Sequence, residues 1–297
     1  MADRREVEIL PIQASSVDLL RAPLELAWSC VPKIGHCLTV LDQCRGLAAE
    51  VLTLAPTDDR AVPWLTVGHL VSTTIRHAVA SICLKTGGFV DQGFILDRSM
   101  LESYTKLLVI KRKPLEASLG YLLNVSNREV TAREALIAQF EPGENPYGEG
   151  NYRKFLDSLS EGEDWAADLA RSHGFDPAKL RKQYGKTKQH SVHSGETAQG
   201  FRALGDLLAD VAHVRGLQMQ PTAGSNDDGA VVWRLDPVVA NSLEACIAST
   251  LSILLFTLGL AGQALGISEI NRERIFEINR RILDINKKAV SHSHAPE

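Results

Sequence analysis

Two groups of residues have the composition of a chemical site. Lys179, Arg181, Lys182, Lys186 and Lys188 place five cations within ten residues, with no acid among them, in a chain whose net charge is −4. Tyr184 sits inside this run, and His190 and His193 follow it with Ser191 between them. Lysine and arginine fix a phosphate, and imidazole moves protons near neutral pH, so the mixture suits a phosphate-bearing ligand. A solvated basic face with surface histidines accounts for the same residues. A zinc site from His190, His193 and Glu196 is opposed by Gly195, which interrupts the helix, and no HExxH pattern is present.

The second group is Arg98 and Glu102, four residues apart and so adjacent on one helical face. That face also carries Phe94, Leu101 and Val109, while Leu96, Met100 and Leu107 lie opposite. The helix is therefore expected to be buried on more than one side. A charged pair in such a place is either a structural ion pair or part of a site, and burial requires further partners for it.

The elements that must hold these residues read as helices almost throughout. Pro23 and Pro32 punctuate the start of a first helix, after a lead-in at 1–22. Breakers then delimit helices at about 61–86, 90–113 and 115–140. Lys111, Arg112 and Lys113 close the third, where cations suit the helix dipole. The run from Pro142 to Asn151 predicts a long loop. Helices follow at about 151–172, 176–192 and 196–216, then a small β-hairpin near 217–235, then helices at 237–266 and 269–288. The sequence predicts a single all-α domain over 1–297, a bundle of about eight helices with that one hairpin. The lead-in and a tail at 290–297 are expected to be mobile.

Composition narrows the function classes. The 297 residues are 44% hydrophobic and 23% charged, ordinary for a folded chain, and no global basicity announces a nucleic-acid binder. Ala245 to Ser268 holds no charged residue and is long enough to cross a bilayer. Its interspersed Ser249, Thr250, Ser252, Thr257 and Gln263, and the amphipathic helix after it, favour a central helix buried by its neighbours. A membrane tether through 245–268 is the alternative. Five cysteines fit no disulfide framework. Cys30, Cys37 and Cys44 recur every seven residues and read as small core residues along one stripe. These features, with no apolar leader at the N-terminus, place the expected setting in a reducing cytoplasm. No Walker loop, Rossmann fingerprint or GxSxG elbow is present, and no cofactor is expected.

Arg98-Ser99-Met100-Leu101-Glu102, then Tyr184, then Ser191-Val192-His193 before a small hairpin and two helices, resembles an uncharacterised all-helical family of bacterial proteins. The resemblance spans roughly residues 60–265. Its layout is distantly similar to the HEPN superfamily, many of whose members are metal-independent ribonucleases of toxin–antitoxin and phage-defence systems. Those enzymes carry Arg and His four to six residues apart on one helix. This sequence has lysines there instead, Lys186 before His190 and Lys188 before His193, with Arg181 nine residues before His190.

Two readings result. In the first, the chain is a binding or interaction module whose basic 179–188 face meets a nucleic acid or an acidic protein. In the second, implied by the resemblance, it cleaves RNA. His193 or His190 then takes the 2′-hydroxyl proton, Arg98 and nearby lysines stabilise the phosphate, Glu102 orients Arg98, and Tyr184 hydrogen-bonds at the same site. A homo-oligomer is compatible with either, and residence in a membrane is not expected.

Overall fold

The structure is a computed structural model that describes residues 16–53, 61–124, 149–184, 223–225, 231–233, 243–267 and 272–293. Eight helices are present among these residues. They are α1 (Ser16–Thr53), α2 (Ala61–Thr86), α3 (Val90–Arg112), α4 (114–124), α5 (Glu149–Ser172), α6 (Pro177–Tyr184), α7 (Leu243–Ala264) and α8 (Arg272–Ser293). Strands β1 (Ala223–Ser225) and β2 (Val231–Trp233) pair antiparallel, with Gly224 opposite Val232. The expected helix at 196–216 lies outside the described residues, as do 125–140 and 185–192 of two others.

The first helix corrects the sequence reading. It begins at Ser16, within the expected lead-in, and runs through both prolines. An internal proline removes one hydrogen bond and costs about 3 kcal/mol. Pro32 is exposed, so water can take the Trp28 carbonyl that it frees. Against that cost stands a buried seam, Cys30, Ile34, Cys37, Leu41, Cys44, Ala48 and Val51, at alternating four- and three-residue steps. Each large apolar side chain buried there contributes about 1.5–3 kcal/mol. Two loop boundaries move similarly: α5 starts at Glu149, inside the expected loop, and α8 continues to Ser293, into the expected tail.

Helix α7 packs against α1, α2, α3 and α8, which explains its apolar character on nearly every side. Ile247, Leu251, Leu254, Leu255 and Leu258 are all sealed from solvent. The helix is long and apolar enough to cross a membrane, and 67% of its most apolar window is buried within this structure. Ile278, Ile282 and Ile285 form the buried stripe of α8. Between α2 and α3 the chain reverses through Gly88, whose φ of 86° is the left-handed conformation that a helix stop demands. The Phe89 N–H donates to the Leu84 carbonyl at 2.8 Å and the Gly88 N–H to that of Lys85 at 3.2 Å. This stop sets the last turn of α2 beside the first turns of α3.

Candidate functional site

The cationic run begins on α6, a short helix whose N-terminus is capped by Asp176, which accepts from the Ala178 N–H at 2.9 Å. Leu180 and Tyr184 point inward, leaving Lys179 and Lys182 exposed and Arg181 half-buried. Tyr184 is the anchor. Its ring lies directly over Gly120 of α4, a space that any Cβ would fill, and meets Tyr121 edge-on at 5.6 Å. Asn124 ties the two helices by donating to the carbonyls of Gly120 at 2.7 Å and Arg181 at 3.3 Å.

Glu116, near the start of α4, joins α6 to the end of α3. It accepts from the Tyr184 hydroxyl at 3.0 Å and from Gln183 at 3.0 Å, while Lys113 Nζ lies 2.9 Å from its other oxygen. Burial raises the Glu116 carboxyl, but its hydrogen bonds with Lys113, Tyr184 and Gln183 outweigh that and hold it below its ordinary value. The Tyr184 hydroxyl is pushed up, by burial first and then by the adjacent Glu116. Lys111, Arg112 and Lys113 are all exposed. Lys111 reaches the neutral Gln263 side chain at 2.6 Å, so its charge is not cancelled there. Lys113 and Gln183, the latter next to Lys182 in sequence, thus meet at one carboxylate although they are seventy residues apart. The sequence reading explained Lys111–Lys113 by the helix dipole and did not connect it with Lys179–Lys182.

Of the two settings open to Arg98 and Glu102, a buried network or an accessible position, the structure shows the accessible one. Arg98 Nε lies 3.7 Å from Glu102 Oε1, with the side chains 27% and 50% exposed. Met100, Leu101 and Leu107 turn inward while this pair lies at the rim of the helix. A surface pair of this kind stabilises by at most about 1 kcal/mol. Tyr184 is committed to α4 through Glu116 and Tyr121, while Arg98 pairs with Glu102 on α3. Lys186, Lys188, His190 and His193 lie outside the described residues.

The enclosed charges belong to other residues. Lys85 on α2 and Asp97 on α3 meet at 2.6 Å, with 0% and 1% exposure. Lys85 Nζ also donates to Thr250 Oγ1 at 2.7 Å and to the Cys246 carbonyl at 3.0 Å, both on α7, so each of its three protons has an acceptor. Asp97 accepts from Ser81 at 2.7 Å and from Thr250 at 3.0 Å. The ammonium sits 4.3 Å from the centre of the Phe94 ring. Gly93 clears the path for the lysine stem, since a Cβ there would stand 2.7 Å from Lys85 Cγ. Burial pulls the Lys85 ammonium below the usual lysine range against the opposing attraction of Asp97. With all partners supplied by α2, α3 and α7 and no route to solvent, this cluster fastens three helices and offers nothing to a substrate.

Among the described residues no group of three or more His, Cys, Asp or Glu side chains is arranged to hold a metal ion. Cys37 and Cys44 are fully buried, and burial pushes their thiols up to about 12, which makes them inert as nucleophiles. No family model, curated protein or solved structure matches the chain.

Proposed function

We propose that this chain is an interaction module that binds the phosphate backbone of a nucleic acid at the junction of α3, α4 and α6. The observation that carries this reading is the meeting on Glu116 of Lys113, which closes one basic run, and Gln183, which adjoins the other in sequence. Affinity for nucleic acid comes largely from lysine and arginine charge displacing counterions, and the junction gathers such charge in a chain that is acidic overall. Tyr184 serves here as a positioning residue, because its ring and hydroxyl fix α6 against α4. The same reading takes the described helices and the paired strands as one bundle carrying a hairpin insertion, in the cytoplasm.

The test is a fluorescence anisotropy titration of labelled single-stranded RNA over a salt series. Affinity should fall steeply with salt, the logarithm of the binding constant changing by about −0.7 per neutralised phosphate for each logarithm of salt. No binding at low salt, or binding indifferent to salt, contradicts the proposal. Capture of an acidic protein in preference to RNA transfers the surface to that partner. RNA cleavage that disappears in His193→Ala favours the ribonuclease reading instead.

A further inference from the structure

Helix α1 carries a second seam beside its buried one. Leu24, Trp28, Val31, Gly35 and Leu38 follow one another at steps of four, three, four and three, the spacing that keeps one helical stripe facing a partner helix. None of these five is buried. Trp28 is 74% exposed and Leu24 63%, Val31 and Gly35 are exposed, and Leu38 is half-buried. Single apolar residues on a surface need no explanation, but a tryptophan at the centre of a continuous apolar stripe has the character of an interface anchor.

We propose that this stripe is a self-association surface through which two copies of the chain pair by their α1 helices, antiparallel, about a two-fold axis beside Val31. In a two-fold interface every contact occurs twice with the copies exchanged, so the seam must complement itself in reverse. It does so in both shape and charge. An antiparallel pairing centred there sets Trp28 of each copy opposite Gly35 of the other. No atom lies within 4 Å of where a Gly35 Cβ would stand, so the space above that position is open and the indole meets no side chain there. The same pairing brings Leu24 towards Leu38 and Arg21 towards Asp42. Arg21 and Asp42 are both exposed and each keeps a contact within its own chain, that of Asp42 with Arg45 at 3.2 Å being a solvent-exposed pair of little strength. A parallel pairing has neither property, since it stacks Trp28 on Trp28 and Asp42 on Asp42. Opposite charges at the two ends of an apolar seam therefore favour a second copy of this chain over an unrelated helix.

Sedimentation equilibrium of the full chain tests the proposal. The wild-type protein should dimerise. Trp28→Glu should weaken the dimer roughly tenfold or more, as loss of a hot-spot aromatic does, with an unchanged helical circular dichroism spectrum. Arg21→Asp and Asp42→Arg should each weaken it, and the double variant should restore it. A wild-type chain that stays monomeric, whether because solvent or another segment of its own chain covers Trp28, overturns the proposal. So does a dimer indifferent to Trp28→Glu, and so does a charge swap that fails to restore what the single reversals lose.

Discussion

Lys85 Nζ and Asp97 Oδ2 lie 2.6 Å apart with both side chains sealed from solvent, joining the last turn of α2 to the first third of α3. Removing one partner leaves the other as an uncompensated buried charge. Asp97→Asn and Lys85→Met are each expected to cost about 3–5 kcal/mol, measured by urea unfolding. The double change Lys85→Met with Asp97→Leu should cost less than either single change, because no buried charge is then left without a partner. Equal losses in all three variants would contradict this account of the cluster.

Arg98→Ala should behave differently. Its pairing with Glu102 is long and half-exposed, so the variant should lose under about 1 kcal/mol in the same unfolding measurement. A loss as large as that of Asp97→Asn would mean that Arg98 is enclosed after all.

Gly120→Ala places a methyl group in the space held by the Tyr184 ring. Overpacking of this kind costs about 1–3 kcal/mol, and here the strain falls on the docking of α6. The expected result is faster limited proteolysis near α6 than in the wild type, accompanied by weaker RNA binding. Tyr184→Phe, which keeps the ring and loses the hydroxyl bond to Glu116, should show a milder form of both. Unchanged proteolysis in Gly120→Ala would show that Tyr184 does not anchor α6.

The buried thiols set an alkaline limit. Cys37 and Cys44 have an ordinary value of 9.0 but titrate at about 12 in the folded chain, so between those values the unfolded state holds fewer protons. Stability therefore falls as pH rises through that window, by about 1.4 kcal/mol per pH unit for each thiol. Tyr121, also pushed to about 12 by burial, acts the same way above 10.0. Lys85 opposes them, since its lowered folded value makes its contribution grow with pH up to 10.5. Two thiols and a phenol outweigh one amine. Urea midpoints across this range should decline, and Cys37→Ala with Cys44→Ala should flatten the decline. A wild-type midpoint that does not fall above pH 9.0 would contradict this balance.

The sequence made the helical character and several boundaries legible because they rest on local signals. Gly87-Gly88 stops α2 where the breaker pattern says it must, and the seven-residue cysteine spacing marks the buried face of α1. The uncharged run at 245–268 likewise reads as a helix surrounded by others, and α7 is packed by four of them. What escaped depends on which charges turn inward, and spacing within one helix cannot report that. Neither Lys85 nor Asp97 stands out by its immediate neighbours in sequence. A signal was present in the pairs one turn apart, Ser81 with Lys85, Gly93 with Asp97, and Cys246 with Thr250. Each sets small or polar groups on one helical face beside a charge or its acceptor. The setting of Arg98 and Glu102 stays open in the sequence because apolar neighbours at one-residue offsets bury the helix without burying its rim. The start of α1 is not legible locally, because proline reads as a breaker whereas the burial that outweighs it is a tertiary effect.

The central claim is that the ends of α3 and α6 form one cationic surface, and charge reversal across the two runs tests it most directly. Lys113→Glu falls at the C-cap of α3 and Lys182→Glu on α6, far apart in sequence, and neither side chain lies in the core. In the RNA titration over salt, each should weaken binding, and the double variant should bind most weakly. The double variant should also reduce the salt slope by about 1.4, the value for two lost phosphate contacts on a single strand. If it binds RNA with the affinity and salt slope of the wild type, the junction is not the binding surface.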